Sequence, residues 1–592
     1  MRFFYITFFV LFSIFVSAEV KNDNTVSTNS GIVEGRLKKG IIFWEDIPYA
    51  QPPVGELRWK APRDIQSNDA KIYPKDNNFC IQKNSNLGGT AQFSDRKISG
   101  SEDCLYLDIF APKKKSESLL PVMFWIHGGG NTSGLKDLYD FSKMVKNHNV
   151  IVVRINYRLG PFGWFTHPAI QNLQNGIDKT SNFGTLDIVS ALKWVNINIH
   201  RFGGNPNNIT IFGESAGGHN VYSLMVNDQA KGLFQKAISM SGYTTSISVE
   251  DSYKPLETSS IYNQSSWNIV NKITNNKQDI LKTEDVRKIL YSMSSDNFFG
   301  YYVDRKSYEE IPLLTADGIV IPKIGLKDAL SNKEYVNNLP IISGSNRDEV
   351  KLWLATATYF VDLDYSFLGS ILRIPKVVLK DEDAFEAFNF YRSQAWKIRG
   401  VDDPIDGFLD IGIEDVYAYR FDWDDHRKLL IADFKKLIGA AHATEIPILT
   451  GNSLLVGGYP LSGLIYPNGV SKKFTSKNMM KYWTNFAKYG EPGKSTNNIQ
   501  WKRYDKENKS FLIIDSKKNL KMDKESYSLK SLSTKLFNDS RVNDLEKCVI
   551  LLQMFTFVGN DIYDENIKEY PGKCDRKESE KFLIDNASFI EY

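Results

Sequence analysis

The sequence predicts an α/β fold in which a large, mostly parallel central sheet is flanked by helices. Three observations carry that expectation. Strand-like runs alternate with stretches of helical spacing, the order that covers a parallel sheet on both faces. Runs such as Val150–Ile155, "VIVVRI", are apolar almost throughout, which suits strands buried on both sides. Asn208–His219, "NITIFGESAGGH", passes from a β-branched run through glycines into a stretch that can be helical.

The elements follow in order. Met1-Arg2 precedes an apolar run from Phe3 to Ala18 that ends in small residues, the pattern of a secretory signal peptide over residues 1–18. That run is 16 residues long, short of the ~20 a spanning helix needs. Residues 19–30 read as a polar N-terminal segment. From Gly31, apolar and turn residues alternate through "GIVEGRLKKGIIFWEDIPYAQPPVGELRW". Strand patterns follow at Cys104–Pro112, Leu120–Gly130 and Asn149–Phe165. Between Ser181 and Gly204, Leu186, Ile188, Ala191, Leu192, Val195 and Ile199 recur at helical spacing, and Gly203-Gly204 close the helix. The "NITIF" strand, a turn and a helix at His219–Val226 come next. Gly232–Gly242 then supplies the next passage from helix to strand. Residues 245–340 and 355–440 are more helical and polar, and no repeat or Gly/Ser/Pro-rich linker divides the chain.

Composition narrows the function. The 592 residues are 42% hydrophobic and 24% charged, ordinary for a globular protein. A net charge of +3 is too mild to suggest nucleic acid or an anionic membrane as partner. After the signal the longest apolar run is Val549–Val558, too short to span a bilayer. Four cysteines behind a signal peptide suggest disulfides among Cys80, Cys104, Cys548 and Cys574, with three connectivities open. There is no C-x-x-C and no H-E-x-x-H, so no metal or cofactor is expected.

Gly213-Glu214-Ser215-Ala216-Gly217 fits G-x-S-x-G in the strand–turn–helix context that motif requires. A serine in such a turn projects its hydroxyl away from the backbone, and flanking glycines leave room for the turn. The start of the following helix sets N–H groups and a positive dipole end beside an anion forming there. His127–Asn131, "HGGGN", follows a strand, and its glycines can turn N–H groups into a cavity. In the Ser, acid, His order of this motif the base is His219, His426 or His442. His219 lies four residues past Ser215, where its ring runs beside the helix and suits packing. His426 sits in the charged, surface-like "FDWDDHRK". His442, in the small-residue loop "IGAAHATEIPI", has room and is preferred.

These stretches together resemble the type-B carboxylesterase/cholinesterase family of α/β-hydrolases. The matching segments are "IPYAQPPVGELRW" (Ile47–Trp59), "SEDCLYLDIFAP" (Ser101–Pro112), "HGGG" (His127–Gly130) and "INYRLGPFGW" (Ile155–Trp164). They continue with "FGESAGG" (Phe212–Gly218), "GSNRDE" (Gly344–Glu349), "GAAHATE" (Gly439–Glu445) and "YWTNFAKYGEP" (Tyr482–Pro492). They span roughly residues 31–510 in the family's order, which implies one α/β-hydrolase catalytic domain over 31–592.

Carried over by position, the resemblance implies Ser215 as nucleophile, Glu349 as acid and His442 as base, with N–H groups of Gly129, Gly130 and Ala216 as the oxyanion hole. It pairs Cys80 with Cys104, which leaves Cys548 and Cys574 for each other. Asp348 is the neighbouring candidate acid, though the motif position favours Glu349. Glu214 either favours an imidazolium electrostatically or only braces the turn. Val350 and Ala443 stand where the family usually has glycine. The stretch between Cys80 and Cys104 lacks the tryptophan that stacks on choline in cholinesterases, so a carboxylesterase is expected over a cholinesterase. The implied activity is a secreted or periplasmic serine ester hydrolase acting on small carboxylic esters through an acyl-enzyme. A lipase and a catalytically silent adhesion protein are the alternatives.

Overall fold

The strand runs pair into one broad sheet, a three-stranded sheet that Lys71–Ile72 completes, and several two-stranded ones. The computed structural model describes residues 24–586 apart from 67–68, 86–87, 92–95, 115, 254–265, 304–313, 365–375, 453–461 and 571; the expected signal peptide lies outside the described residues. Strands β1 (Thr25–Thr28) and β2 (Gly31–Glu34) pair antiparallel. Eleven strands form the main sheet. They are β3 (Arg36–Lys38), β4 (Ile41–Pro48), β5 (Tyr106–Pro112), β6 (Leu120–Ile126), β7 (Ile151–Ile155), β8 (Gly204–Glu214), β9 (Lys236–Met240), β10 (Ile341–Asn346), β11 (Val416–Phe421), β12 (Ser510–Ile514) and β13 (Lys521–Lys524). Their order across the sheet is β13-β12-β11-β10-β9-β8-β6-β7-β5-β4-β3. From β7 to β12 neighbouring strands are parallel; β5, β4 and β3 at one edge and β13 at the other are antiparallel.

Five helices bear on the site: α1 (Phe183–Asn198), α2 (Ala216–Met225), α3 (Glu382–Lys397), α4 (Val470–Tyr489) and α5 (Asp544–Thr556). Alternation along β6 divides the core between the two faces. Val122, Phe124 and Ile126 pack with Leu186, Leu192 and Val195 of α1, while Met123 and Trp125 pack with Met479, Trp483 and Phe486 of α4. All five of these β6 side chains are fully buried, and burying an aliphatic or aromatic side chain of this size contributes about 1.5–3 kcal/mol. A third cluster joins Val350 to Phe385 and Phe388 of α3 and to Val549 and Leu552 of α5. Disulfides link Cys80 to Cys104 and Cys548 to Cys574.

Three local readings change. Part of the polar N-terminal segment is strand β1, and Ser30 is buried because its hydroxyl accepts a hydrogen bond from Trp194 Nε1 (2.8 Å). Before β9, residues 231–233 form a turn instead of a helix, preceded by one 3-10 turn at Asp228–Ala230. His426 is buried, because Trp423 and Tyr466 pack edge-on against its ring.

Register brings the strand ends level. Gly213 lies opposite Ile126, Glu214 opposite Met240, Met240 opposite Gly344, and Asn346 opposite Phe421. The loops leaving these carboxyl ends therefore open on one edge of the sheet, where parallel α/β sheets form their crevices.

Candidate active site

Ser215 joins β8 to α2 with φ 58° and ψ −121°, a left-handed conformation that costs a non-glycine residue ~1–3 kcal/mol. The glycines around it leave no space for side chains. A Cβ on Gly213 would lie 2.5 Å from the Gly217 carbonyl carbon, and one on Gly217 would lie 2.1 Å from Ile126 O. The Ser215 N–H donates to Met240 O (2.9 Å), and His219 N–H donates to Ser215 O (2.9 Å). Residues 211–214 and 216–220 are buried, whereas Ser215 is partly exposed. The turn thus presents one hydroxyl at the start of a helix.

The glycine loop faces the same opening. Gly129 (φ 102°) and Gly130 (φ 62°) are left-handed and exposed. A Cβ on Gly129 would meet Ser133 O at 2.1 Å, and one on Gly128 would meet Glu214 Oε2 at 2.8 Å. Asn131 holds the loop to the elbow helix: its Oδ1 accepts from Asn220 Nδ2 of α2 (2.8 Å) and from Tyr157 OH (3.2 Å), which also donates to His127 O (2.7 Å).

His442 lies among carboxylates. Its Nδ1 is 2.7 Å from Glu349 Oε2, and its N–H donates to Glu349 O (3.1 Å). Glu349 Oε1 accepts from Asn346 N–H (2.7 Å), so the carboxylate is oriented at both oxygens. On the other side of the ring, His442 Nε2 is 3.2 Å from Glu214 Oε1, an electrostatic contact without hydrogen-bond alignment. Glu445 is also buried, with Oε2 accepting from Asn346 Nδ2 (2.5 Å). Burial opposes protonation of His442, yet Glu214 and Glu349 outweigh it and raise its pKa to about 9. Burial pushes Glu214 up to about 7 against the pull of His442, and burial with repulsion from Glu214 and Glu349 pushes Glu445 up to about 8.

The other candidates are engaged elsewhere. His219 Nε2 contacts Thr245 O (2.9 Å) and its ring stacks on Tyr243. His426 Nε2 contacts Gly439 O (2.8 Å). Asp348 pairs with Arg347 (2.6 Å) and accepts from Ala440 N–H (2.9 Å), tying the His442 loop to the end of β10. The Cys80 and Cys104 staple lies away from these contacts, under Gly100. Among the described residues no cluster of His, Cys, Asp and Glu has a metal-holding arrangement. Val350 is helical (φ −80°) and its side chain enters the third core cluster, so nothing there calls for glycine. Ala443 has φ 66°, which does.

A family model described as the carboxylesterase family matches residues 22–381 and 410–532. The chain belongs to the carboxylesterase family. Para-nitrobenzyl esterase of Bacillus subtilis (strain 168) is 33% identical over 524 residues, covering 85% of this chain and 96% of the relative. Liver carboxylesterase of Sus scrofa is 30% identical over 533 residues, covering 81% and 88%. A solved Geobacillus stearothermophilus carboxylesterase superposes with a TM-score of 0.65 at 26% identity, covering 85% of this chain and 98% of that one. The fold is that of the α/β-hydrolases, and the enzyme is a carboxylic ester hydrolase.

Several residues at the esterase's site carry no signal in the sequence. Trp353 and Trp396 pack on His442 with ring centroids 5.3 and 4.8 Å away. Trp353 falls in Leu352–Phe360, a loop between motifs whose placement cannot be read from the sequence. Trp396 lies in the last turn of α3 and reads as ordinary core. Asn220 of α2 and the buried Glu445 are likewise found only through their contacts.

Proposed function

We propose that this carboxylesterase hydrolyses small carboxylic esters through a Ser215–His442–Glu349 triad and an acyl-enzyme. The observation that carries the reading is His442, held by Glu349 at Nδ1 (2.7 Å) with Nε2 turned toward the elbow that presents Ser215. His442 Nε2 takes the Ser215 proton as Oγ attacks the ester carbonyl, then returns it to the departing alcohol. Glu349 fixes the imidazole tautomer and stabilises the imidazolium; Glu214 adds a second negative neighbour. N–H groups of Gly129, Gly130 and Ala216 receive the oxyanion, with the first turn of α2 favouring negative charge. Water then attacks the acyl-enzyme with His442 again as base. The Bacillus relative is a para-nitrobenzyl esterase, which favours esters of aromatic alcohols as the first substrates for this chain.

Residues 31–592 are read as a single catalytic domain, supported by the family match through residue 532. Secretion or residence in the periplasm is supported by the signal-like N-terminus and by two disulfides, which persist in oxidising compartments. No helix among the described residues is long and apolar enough to cross a membrane.

The test is hydrolysis of a p-nitrophenyl ester series by wild type and Ser215→Ala, with mass-spectrometric mapping of organophosphate labelling. Turnover and labelling are expected to vanish together in the variant. Labelling of another serine would overturn the assignment, and a folded wild type inert on every ester would point to the silent adhesion protein.

A further inference from the structure

We propose that Phe557, delivered by the segment that follows α5, determines specificity by walling the space beside His442 where an apolar group of the ester lies. The inference rests on the Ser215–His442 reading. Phe557 stands edge-on to Trp353 and to Trp396, with centroids 5.8 and 5.4 Å away, and those two rings stack on each other at 5.9 Å. Both indoles touch His442, so the three aromatics form one wall against the base. Trp396 and His442 are buried, whereas Trp353 and Phe557 are only half-buried. The open side of the wall is therefore made by these two rings. An aromatic left half-exposed beside the base offers apolar surface to a substrate that reaches it.

The segment carrying Phe557 is built for position. Arg399, just beyond α3, donates to the carbonyls of Met554 (3.2 Å), Phe557 (2.8 Å) and Asn560. Gly559 permits that approach, since a Cβ there would lie 2.6 Å from the guanidinium. The loop after β9, which begins beside the elbow, closes on the other flank: Thr244 N–H donates to Val558 O (3.5 Å) and Ser246 N–H to Asn560 Oδ1 (2.9 Å). Trp396 Nε1 donates to Gly242 O in the same loop (3.2 Å). Between these anchors Val558 has φ 70°, costly for a β-branched residue and maintained only where its surroundings over-determine it. The Cys548–Cys574 disulfide staples α5 to the chain beyond this segment. Phe557 and its segment lie past residue 532, where the family match ends, whereas Trp353 lies within the match.

The experiment measures kcat/KM for Phe557→Ala, Phe557→Leu and wild type on two series. One is p-nitrophenyl esters of increasing acyl length; the other is acetates of increasingly bulky alcohols. The ratio of largest to smallest substrate is expected to rise about tenfold or more in Phe557→Ala, with Phe557→Leu between, in whichever series contacts the wall. Should Phe557→Ala fail to fold, Phe557→Leu alone carries the prediction. Ratios within about twofold of wild type in both series, in variants with native melting temperatures, would overturn it. Turnover retained in Ser215→Ala would instead overturn the catalytic reading beneath it.

Discussion

Glu214→Gln should move the pH dependence of hydrolysis toward acid. Glu214 Oε1 is 3.2 Å from His442 Nε2, and at an effective dielectric of ~20 two unit charges at that distance attract by about 5 kcal/mol. If fully expressed, that is between three and four pH units on the imidazole, taking about 1.4 kcal/mol per unit. The expressed effect is smaller, because Glu214 and His442 titrate as a coupled pair and each is also screened by its other neighbours. In the wild type His442 is raised to about 9, so its proton-accepting form accumulates only as pH rises, and activity should climb as pH passes through about 9. In Glu214→Gln the midpoint should fall by about two units. The alkaline plateau should drop as well, since the imidazolium of the transition state loses a neighbour. The assay is kcat/KM against pH on one p-nitrophenyl ester, with organophosphate titration of active sites to normalise for folding. A midpoint within about half a unit of wild type would refute the electrostatic role and leave Glu214 as a brace of the turn. Stability runs the opposite way. Because the folded pKa of His442 is raised, its contribution is complete below 6.5 and is lost as pH rises through about 9.

Gly129→Ala places a methyl 2.1 Å from Ser133 O in a left-handed backbone. The loop must shift, and kcat should fall by about 10²–10³ with little change in melting temperature; near-normal turnover would remove Gly129 from the oxyanion hole. Ala443→Gly relieves φ 66° beside the base, and after the entropy cost of glycine the melting curve should show a gain of about 0.5–1 kcal/mol. A loss of stability would contradict the strain.

Some of this was legible because it is local. At the elbow, a β-branched run and flanking glycines dictate a strand, a tight turn and a helix by short-range sterics, and Ser215 has the left-handed φ such a turn demands. The same holds for Gly129 and Gly130, and for Gly203, whose φ of 86° ends the turn after α1. The polar N-terminal segment misled for the opposite reason. Thr25–Thr28 is short and polar, and becomes a strand only by pairing with Gly31–Glu34. His426 misled too: its charged neighbours suggest a surface, but Trp423 and Tyr466 enclose it from outside that window.

By itself, then, the sequence determined the alternation of strands and helices, the serine elbow and the glycine loop, since each depends on residues within a few positions of one another. The small-residue loop and the family resemblance already point to His442 and Glu349; the tertiary structure turned His442 toward the elbow, set the partners of Asp348 and Glu349, and brought Glu214 against the imidazole. It also decided that Trp353, Trp396 and Phe557 meet over His442. The contacts on His442 join residues far apart in the chain, and no local periodicity encodes them. They arise from the register of parallel strands, which brings the ends of β6, β8, β9 and β10 level, and from packing that carries the segment after α5 back to the loop after β9.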